Sequence, residues 1–296
     1  MKTKQILQSA GLVLALTLVL HPSAWVRGAT TIDAGNHYAY GANVGWMDWR
    51  GDVANGVVVG EYVCSGYVYA ANVGWINLGS GSPTNGIQYQ NLAASDFGLN
   101  LDGAGNLRGY AYGANIGWIN FEATGVPKVD LFSGRFSGYA YSANCGWVSL
   151  SNAFAYVQTD TIVAGVDSDG DGITDAWERT YTNTLTAFTA STDTDGDGMT
   201  DKQEYLAGTN PLDGNDKLRM LSITHGIGGP IRVDLTWAAK PTRYYILERR
   251  AALRDTSPWE QRTTGSENVP GLNSAGFDES GSRYFYRIGA RRPLLP

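Results

Sequence analysis

Two acidic segments, 26 residues apart, contain the side chains best suited to chemistry in this chain. They read "DSDGDGITDAWE" from Asp167 and "DTDGDGMTDKQE" from Asp193. In each, carboxylates recur at alternate positions around a Gly-Asp-Gly turn, and a glutamate ends the twelve residues. A hard cation with about six to eight oxygen ligands suits such a loop, and the crowded carboxylates would repel one another without it. The two segments therefore predict two calcium sites.

The spacing assigns a ligand to positions 1, 3, 5, 7, 9 and 12 of each loop, with a backbone carbonyl at position 7. The first set is Asp167, Asp169, Asp171, Ile173 (carbonyl), Asp175 and Glu178. The second set is Asp193, Asp195, Asp197, Met199 (carbonyl), Asp201 and Glu204. An acidic flexible linker is the alternative interpretation. The calcium interpretation is favoured because the same spacing occurs twice.

The loops also resemble a known family in detail. Their apolar residue stands at position 7 instead of the position 8 typical of EF-hands and dockerins, and "EYLAGTNPLD" follows the second loop. Over about residues 166–214 this pattern resembles the bacterial thrombospondin type 3 repeat. The resemblance implies calcium-stiffened connectors in secreted or surface proteins, with no catalytic role. Short helices are expected after each loop, at "DAWERTY" and "DKQEYLAG".

A different repeat fills residues 30–160. The phrase "YAYGANIGWINF" at 110 recurs as "YAYGANVGWMDW" at 38, "YVYAANVGWINL" at 67 and "YAYSANCGWVSL" at 139. Alternating aromatic strands around Ala-Asn-x-Gly predict β-hairpins, because asparagine and glycine both tolerate the positive φ of tight turns. With an upstream strand, each repeat is expected to be a three-stranded antiparallel meander. We expect an all-β domain that is a sandwich or barrel-like, in preference to a propeller-like ring.

The repeated aromatic and asparagine residues allow two interpretations. Their rings could pack the core of a domain poor in charge, which is the favoured interpretation, since repeats that share a core also share core residues. Alternatively, the rings could stack on sugars while the asparagines bond to hydroxyls. The candidate ligand-binding residues are Asn43, Trp46, Asn72, Trp75, Asn115, Trp118, Asn144 and Trp147.

Strand patterns return in residues 217–296. Stretches such as "IRVDLTWAA", "RYYILERRA" and "SRYFYRIGA" alternate with turns and predict a small β-sandwich. The order "LTWAAKPTRYYILERR … WEQ … SRYFYRI" resembles fibronectin type III-like modules of modular bacterial secreted proteins. That resemblance implies a spacer or adhesion role. The predicted architecture is thus mainly β, with four parts: 1–29, 30–160, 161–216 and 217–296.

The remaining composition bears on compartment and partners. Lys2, Lys4 and the apolar run Ala10–Leu20 predict a cleaved signal peptide over residues 1–29, and no later stretch is expected to span a membrane. The net charge is −6, and the basic residues of the C-terminal part are scattered, so nucleic acid is not an expected partner. Cys64 and Cys145 occupy non-equivalent positions in the repeats, which leaves a disulfide between them open.

The sequence contains no catalytic motif for a nucleophile, a zinc hydrolase or a phosphate loop. A carboxylate pair leaves no local signature, so seven acids stay open, with a solvated or turn-capping role expected: Asp48, Asp52, Glu61, Asp96, Asp102, Glu122 and Asp130. We therefore predict a non-enzymatic, secreted or cell-surface bacterial protein with bound Ca²⁺ and a structural or adhesive role. The alternative is a lectin-like protein. The expected partners are calcium and an extracellular polysaccharide or another surface protein.

Overall fold

The computed structural model describes residues 30–225, 231–251, 258–262, 271–279 and 284–294. The predicted signal peptide, residues 1–29, lies outside the described residues. The fold is mainly β, with two short helices after the acidic loops, as the sequence predicts.

Eight strands of the N-terminal repeat domain form a closed antiparallel barrel. They are β1 (Ile32–Gly41), β2 (Gly45–Asp48), β4 (Cys64–Ala70), β5 (Gly74–Ser80), β7 (Leu107–Gly113), β8 (Gly117–Asn120), β11 (Tyr139–Ser142) and β12 (Gly146–Ser149). Each aromatic phrase supplies one hairpin, and β12 pairs with β1 as well as β11, with Tyr40 opposite Ser149. Closure leaves the ring without an edge strand. The barrel-like prediction is confirmed.

The upstream strands of the expected meanders are short and differ between repeats. They are β3 (Val58–Val59), β6 (Leu99–Leu101), β9 (Lys128–Val129), β10 (Phe136–Ser137) and β13 (Val157–Thr159), with a 3₁₀ turn at Ala123–Gly125. Strands β3 and β6 pair with β4 and β7, whereas β9 and β10 pair with each other and β13 pairs with β1. The regular part of the repeat is therefore the hairpin alone.

Small and medium-sized apolar side chains fill the barrel. In the first hairpin Ala39 faces inward opposite Met47, while the next residues, Tyr40 and Trp46, face outward. The same inward pairs recur in the other hairpins: Val68 with Ile76, Ala111 with Ile119, and Ala140 with Val148. All are buried. Alternation of small and large residues suits the narrow interior of an eight-stranded barrel.

The repeated tryptophans lie on the outside of this barrel. Trp46, Trp75, Trp118 and Trp147 are 48, 46, 46 and 47% exposed, and each contacts an outward tyrosine of its own hairpin. This finding corrects the expectation that the repeated rings pack the core. The core contains Trp49 instead, which is 2% exposed and lies against Phe121 and Phe136.

The repeated asparagines join neighbouring hairpins in a ring. Each side-chain amide donates to a backbone carbonyl in the turn of the preceding hairpin. The four bonds are Asn72 to Val44 at 3.1 Å, Asn115 to Val73 at 3.0 Å, Asn144 to Ile116 at 3.0 Å and Asn43 to Cys145 at 3.1 Å. Within each of the four phrases, the glycine that ends Ala-Asn-x-Gly takes a positive φ, for example 79° at Gly45, and the asparagine does not. The asparagines therefore connect the turns and are not needed for positive φ.

Residues 161–216, the calcium segment, contain α1 (Asp175–Tyr181) and α2 (Asp201–Ala207). Trp177 of α1 and Tyr205 of α2 form a small buried cluster with Ile173 and Phe188, which lie outside the helices. Tyr62 of the barrel domain packs against this cluster. Thr200 and Gln203 form a reciprocal capping box at the start of α2. The segment thus has its own core, although it is too short to bury a large one.

Within the described residues, the C-terminal module contains two three-stranded sheets. Its strands are β14 (Met220–His225), β15 (Ile231–Trp237), β16 (Tyr244–Arg250), β17 (Glu260–Gln261), β18 (Ser274–Glu279) and β19 (Phe285–Arg291). One sheet has the order β14-β15-β18 and the other β17-β16-β19. Buried side chains from both sheets, including Trp237 and Tyr245, share one core, as expected of a sandwich.

Both cysteines are buried free thiols. Cys64 lies in β4, and burial raises the pKa of its thiol to about 12. Cys145 lies in the turn of the fourth hairpin, where its carbonyl accepts the Asn43 bond. The disulfide that the sequence left open is not formed.

Candidate metal centre

The first acidic loop is folded around Asp167. Its two carboxylate oxygens accept hydrogen bonds from the backbone N–H groups of Gly170 at 2.7 Å and Gly172 at 2.8 Å. Both glycines have positive φ, 78° and 87°, which the tight turn requires. One carboxylate oxygen each of Asp167, Asp169 and Asp171 then lie within 4.8 Å of one another.

The second loop repeats this geometry. Asp193 accepts hydrogen bonds from Gly196 at 2.8 Å and Gly198 at 2.9 Å, through one oxygen each. Carboxylate oxygens of Asp193, Asp195 and Asp197 again lie within 4.8 Å of one another. The twofold spacing in the sequence therefore corresponds to two similarly folded acidic loops.

Buried oxygens without a partner test whether a cation fits these loops. Among the described residues, the buried first-loop oxygens without a hydrogen-bond partner are Asp171 Oδ2, both Oε atoms of Glu178 and the Thr174 hydroxyl oxygen. Those in the second loop are Asp195 Oδ2, Asp197 Oδ2 and Glu204 Oε2. Buried carboxylate oxygens without a partner are costly, and a hard divalent cation would supply the missing interaction. The residues present fit calcium, which would offset part of the negative charge of the four carboxylates at positions 1, 3, 5 and 12.

The closing glutamates show the electrostatic strain most clearly. Glu178 and Glu204 are both 0% exposed. Burial, together with neighbouring aspartates led by Asp169 for Glu178 and by Asp195 for Glu204, raises the pKa of each to about 7. Each closing glutamate therefore binds a proton or a cation more readily than an exposed carboxylate does.

The aspartates at position 9 accept hydrogen bonds from their own loops. Asp175 accepts hydrogen bonds from the Ser168 N–H and hydroxyl, both at 2.7 Å. Asp201 accepts the corresponding bonds from the Thr194 N–H and hydroxyl, both at 3.1 Å, and another from the Thr192 hydroxyl. These hydrogen bonds hold the residue at position 2 of each loop against the first residue of the following helix, and in this way they brace the loop.

Each loop is also approached by a lysine that sequence spacing did not reveal. Lys202 Nζ lies 3.3 Å from the backbone carbonyl of Asp171, and Lys217 Nζ lies 3.1 Å from that of Asp197. Lys202 belongs to α2, so it joins the second loop's helix to the first loop. Both lysines reduce the net negative charge around an acidic loop, and their separation from the loops by 31 and 20 residues hides this from local motifs.

Among the acids outside the loops that the sequence left open, the aspartates bond within turns and loops, whereas Glu61 pairs with Arg292 and Glu122 accepts from the Gly109 N–H at 2.9 Å. Asp48, Asp52, Asp102 and Asp130 each accept from backbone N–H groups two to four residues later, for example Asp130 from Phe132 and Ser133 at 2.9 Å. Asp96 joins two parts of its loop through the Thr84 and Gln90 N–H groups. These bonds agree with the expected turn-capping role.

The affinity for calcium is expected to rise with pH between about 5 and 8. Without a cation, the folded chain holds the pKa of Glu178 and Glu204 near about 7, above their ordinary value of 4.5. Their contribution to stability in chelator is fully present below about pH 4.5 and is lost as pH rises through about 7. As pH rises through that window the two glutamates lose their protons, so calcium binds without having to displace them. Calorimetric titration at pH 5.5 and 8.0 measures the difference, and an affinity that falls or stays constant with rising pH would contradict it.

Two acidic loops of this geometry, each followed by a short helix, form a tandem segment whose aspartates could hold metal ions. Residues 167–184 and 193–214 match the family model of the bacterial TSP3 repeat. This match confirms the resemblance for the calcium segment, and it covers neither the barrel nor the C-terminal strands. Comparison with curated proteins and with solved structures gave no match. No helix within the described residues is long and apolar enough to cross a membrane.

Proposed function

We propose that this chain is a secreted or cell-surface protein of modular construction, with a structural or adhesive role, in which calcium stiffens the connector between two β-domains. The observation that carries the proposal is the set of buried carboxylate oxygens without partners in two loops matched by the TSP3 repeat. The loops stand between β13 of the barrel domain and β14 of the C-terminal module. Calcium that fixes the loops would also restrict the path of the chain between these domains.

Terbium luminescence tests calcium binding directly. Trp177, which is 8% exposed, directly precedes the closing Glu178, so its excited state would sensitise a lanthanide in the first loop. We expect luminescence on titration with terbium and its loss on addition of excess calcium. Glu178→Gln should reduce the signal, whereas Asp102→Asn, an equal charge change in a barrel turn, should not. No luminescence in the wild-type chain, together with no calorimetric heat of calcium binding, would overturn the proposal.

A second candidate function, glycan binding, is supported by the exposure of the repeated aromatic rings. Each hairpin carries one tryptophan between two outward tyrosines; in the third hairpin the Trp118 ring centre lies 4.9 Å from that of Tyr112 and 6.2 Å from that of Tyr110. Half-exposed aromatic faces next to polar groups suit the apolar faces of sugar rings. Four equivalent clusters around one barrel would favour a repetitive polymer, since several weak contacts add through multivalency.

The third cluster differs from the others because the insertion before β6 adds a wall to it. Phe97 lies edge-on to Trp118 with ring centres 5.1 Å apart, and the exposed Leu92 stands at the rim. These residues, with Tyr110 and Asn91, border a cavity of about 360 Å³ without a charged side chain in its lining. A neutral sugar fits this lining better than an ionic one. Asn115, in contrast, is engaged in the ring of turns and is not proposed as a sugar ligand.

We expect Trp118→Ala to remove most glycan binding while leaving the barrel folded, because the ring is 46% exposed. Trp147→Ala is the matched control, since that hairpin has the same tyrosine contacts and no Phe97 wall. A neutral-glycan array with the wild-type chain and both variants measures the difference. Equal binding by Trp118→Ala and wild type, or no binding by the wild type, would contradict glycan recognition at this cluster.

A further inference from the structure

Three parts of the chain meet at one buried carboxylate. Glu61 lies between β3 and β4 of the barrel domain, and its side chain is 1% exposed. It forms an ion pair with Arg292 from the C-terminal end of the chain. The hydroxyl of Tyr205 in α2 donates to Glu61 Oε2 at 3.0 Å, and the Gly165 N–H approaches the same oxygen at 3.3 Å. Glu61 thus contacts the calcium segment and the C-terminal module at once.

Further contacts fix the same junction. The guanidinium of Arg292 lies over the ring of Tyr205, 4.7 Å from its centre. The Leu294 carbonyl accepts hydrogen bonds from the Thr161 hydroxyl and the Ile162 N–H, both at 2.8 Å. The last described residues therefore return to the point where the chain leaves the barrel domain. If either Glu61 or Arg292 were removed, the other would be left as a buried charge without a partner of opposite sign, which is costly.

The second calcium loop is built directly into this junction. Its closing ligand, Glu204, is followed by Tyr205, which bonds to Glu61 of the barrel domain, and by Leu206, whose carbonyl accepts from Arg243 Nε of the C-terminal module at 2.8 Å. Three consecutive residues of one helical turn therefore face the cation site, the barrel domain and the C-terminal module.

The first loop reaches this junction through α2, because the Asp171 carbonyl accepts from Lys202 and the Trp177 ring centre lies 5.7 Å from that of Tyr205. Its own helix, α1, makes different contacts. After its closing Glu178, the Arg179 guanidinium lies 3.9 Å from Asp175 in the same helix, and the Thr180 hydroxyl donates to the Ala176 carbonyl within that helix. Arg179 also lies beside Gly86 of the barrel domain. These contacts link α1 to itself and to the barrel domain.

We propose that calcium in the second loop controls docking of the C-terminal module onto the barrel domain, and that calcium in the first loop does not. The inference rests on the proposed calcium binding and assigns the coupling to one of the two sites. A cation held by Glu204 fixes the start of α2, and this places the Tyr205 hydroxyl and the Leu206 carbonyl for their partners. Because coupling between two equilibria is reciprocal, docking must raise the calcium affinity of the second loop by the same factor.

Single-site variants of the full chain separate the two loops. Glu178→Gln leaves the second loop as the calcium site, and Glu204→Gln leaves the first. In millimolar calcium, small-angle X-ray scattering should give Glu178→Gln the radius of gyration of the wild type and Glu204→Gln a larger one, close to that of the wild type in chelator. Equal radii for the two variants would overturn the proposal.

Calorimetry then tests reciprocity with a substitution that removes only one hydroxyl. Tyr205→Phe in the Glu178→Gln background should lower the calcium affinity about tenfold, a typical size for coupling between sites. The same substitution in the Glu204→Gln background should change nothing. Tyr181→Phe, in the helix after the first loop, is the matched control and should leave the affinity of the second loop unchanged. A chain that binds no calcium would overturn the proposed function as well, whereas two bound ions without effect of Tyr205→Phe would overturn only this coupling.

Discussion

Removal of calcium is expected to lower the thermal stability of the chain, and the double variant Glu178→Gln, Glu204→Gln should abolish this dependence on calcium. A ligand at ten times its dissociation constant stabilises the folded state by about 1.4 kcal/mol per site, and extracellular calcium modules bind at roughly 10⁻⁴ to 10⁻³ M. Two sites in about 10 mM calcium should therefore contribute about 3 kcal/mol when their dissociation constants are about 10⁻³ M. Scanning calorimetry with and without chelator measures this contribution.

In chelator, the order of stability of the double variant and the wild type is expected to differ from their order in calcium. Because burial and neighbouring aspartates raise the pKa of both glutamates, an uncharged glutamine at either position relieves repulsion when no cation is present. At pH 8 in chelator, the double variant should therefore be at least as stable as the wild type, although it is less stable in calcium. A double variant destabilised equally in both conditions would show that the glutamates act in packing alone.

The second large effect is expected from the tryptophans of the first hairpin, which are three residues apart and have opposite environments. Trp49→Ala should lower the free energy of unfolding of the barrel domain by about 3–5 kcal/mol, because its ring is buried between Phe121 and Phe136. Trp46→Ala should cost only about 1 kcal/mol, since half of that ring faces solvent and its main loss is the contact with Tyr40. Chemical denaturation in calcium measures both.

Trp49→Phe provides a matched control for this comparison. The Nε1 atom of Trp49 is buried and, among the described residues, has no hydrogen-bond partner, so phenylalanine sacrifices ring volume and no hydrogen bond. Its cost should lie well below that of Trp49→Ala. Similar losses for Trp46→Ala and Trp49→Ala would mean that the repeated rings pack the domain after all.

Local spacing was enough to predict the calcium loops. Alternate carboxylates and glycines with positive φ act within a few residues, so the sequence alone specifies where Asp167, Asp169 and Asp171 converge. The role of position 9 was not predictable in this way. The bracing bonds of Asp175 to Ser168 become visible only in the structure. The two lysines and the Glu61 junction depend on contacts between distant segments.

The hairpins were also predictable, but the face that each one presents to the core was not. In "YAYGANIGWINF" both faces of the hairpin are apolar, since Tyr112 and Trp118 alternate with Ala111 and Ile119. Size normally favours the aromatic face as the buried one. Closure of eight strands into a ring reverses this preference, because the narrow interior admits alanine opposite isoleucine and leaves the large rings outside.

The asparagine of the phrase was misjudged for a related reason. Within one hairpin, an asparagine before a glycine is typical of a tight turn. Its bond to the preceding hairpin becomes visible only when the four repeats are arranged in a ring, as with Asn115 and Val73. Repetition in the sequence therefore reflects a contact between repeats, which no single repeat can reveal.

Isothermal titration of the full chain with calcium at pH 7.5 tests the central claim most directly. The account predicts two ions per chain, one ion for either Glu178→Gln or Glu204→Gln, and none for the double variant at millimolar calcium. Binding of two ions that neither substitution alters, or no binding by the wild type at millimolar calcium, would contradict it.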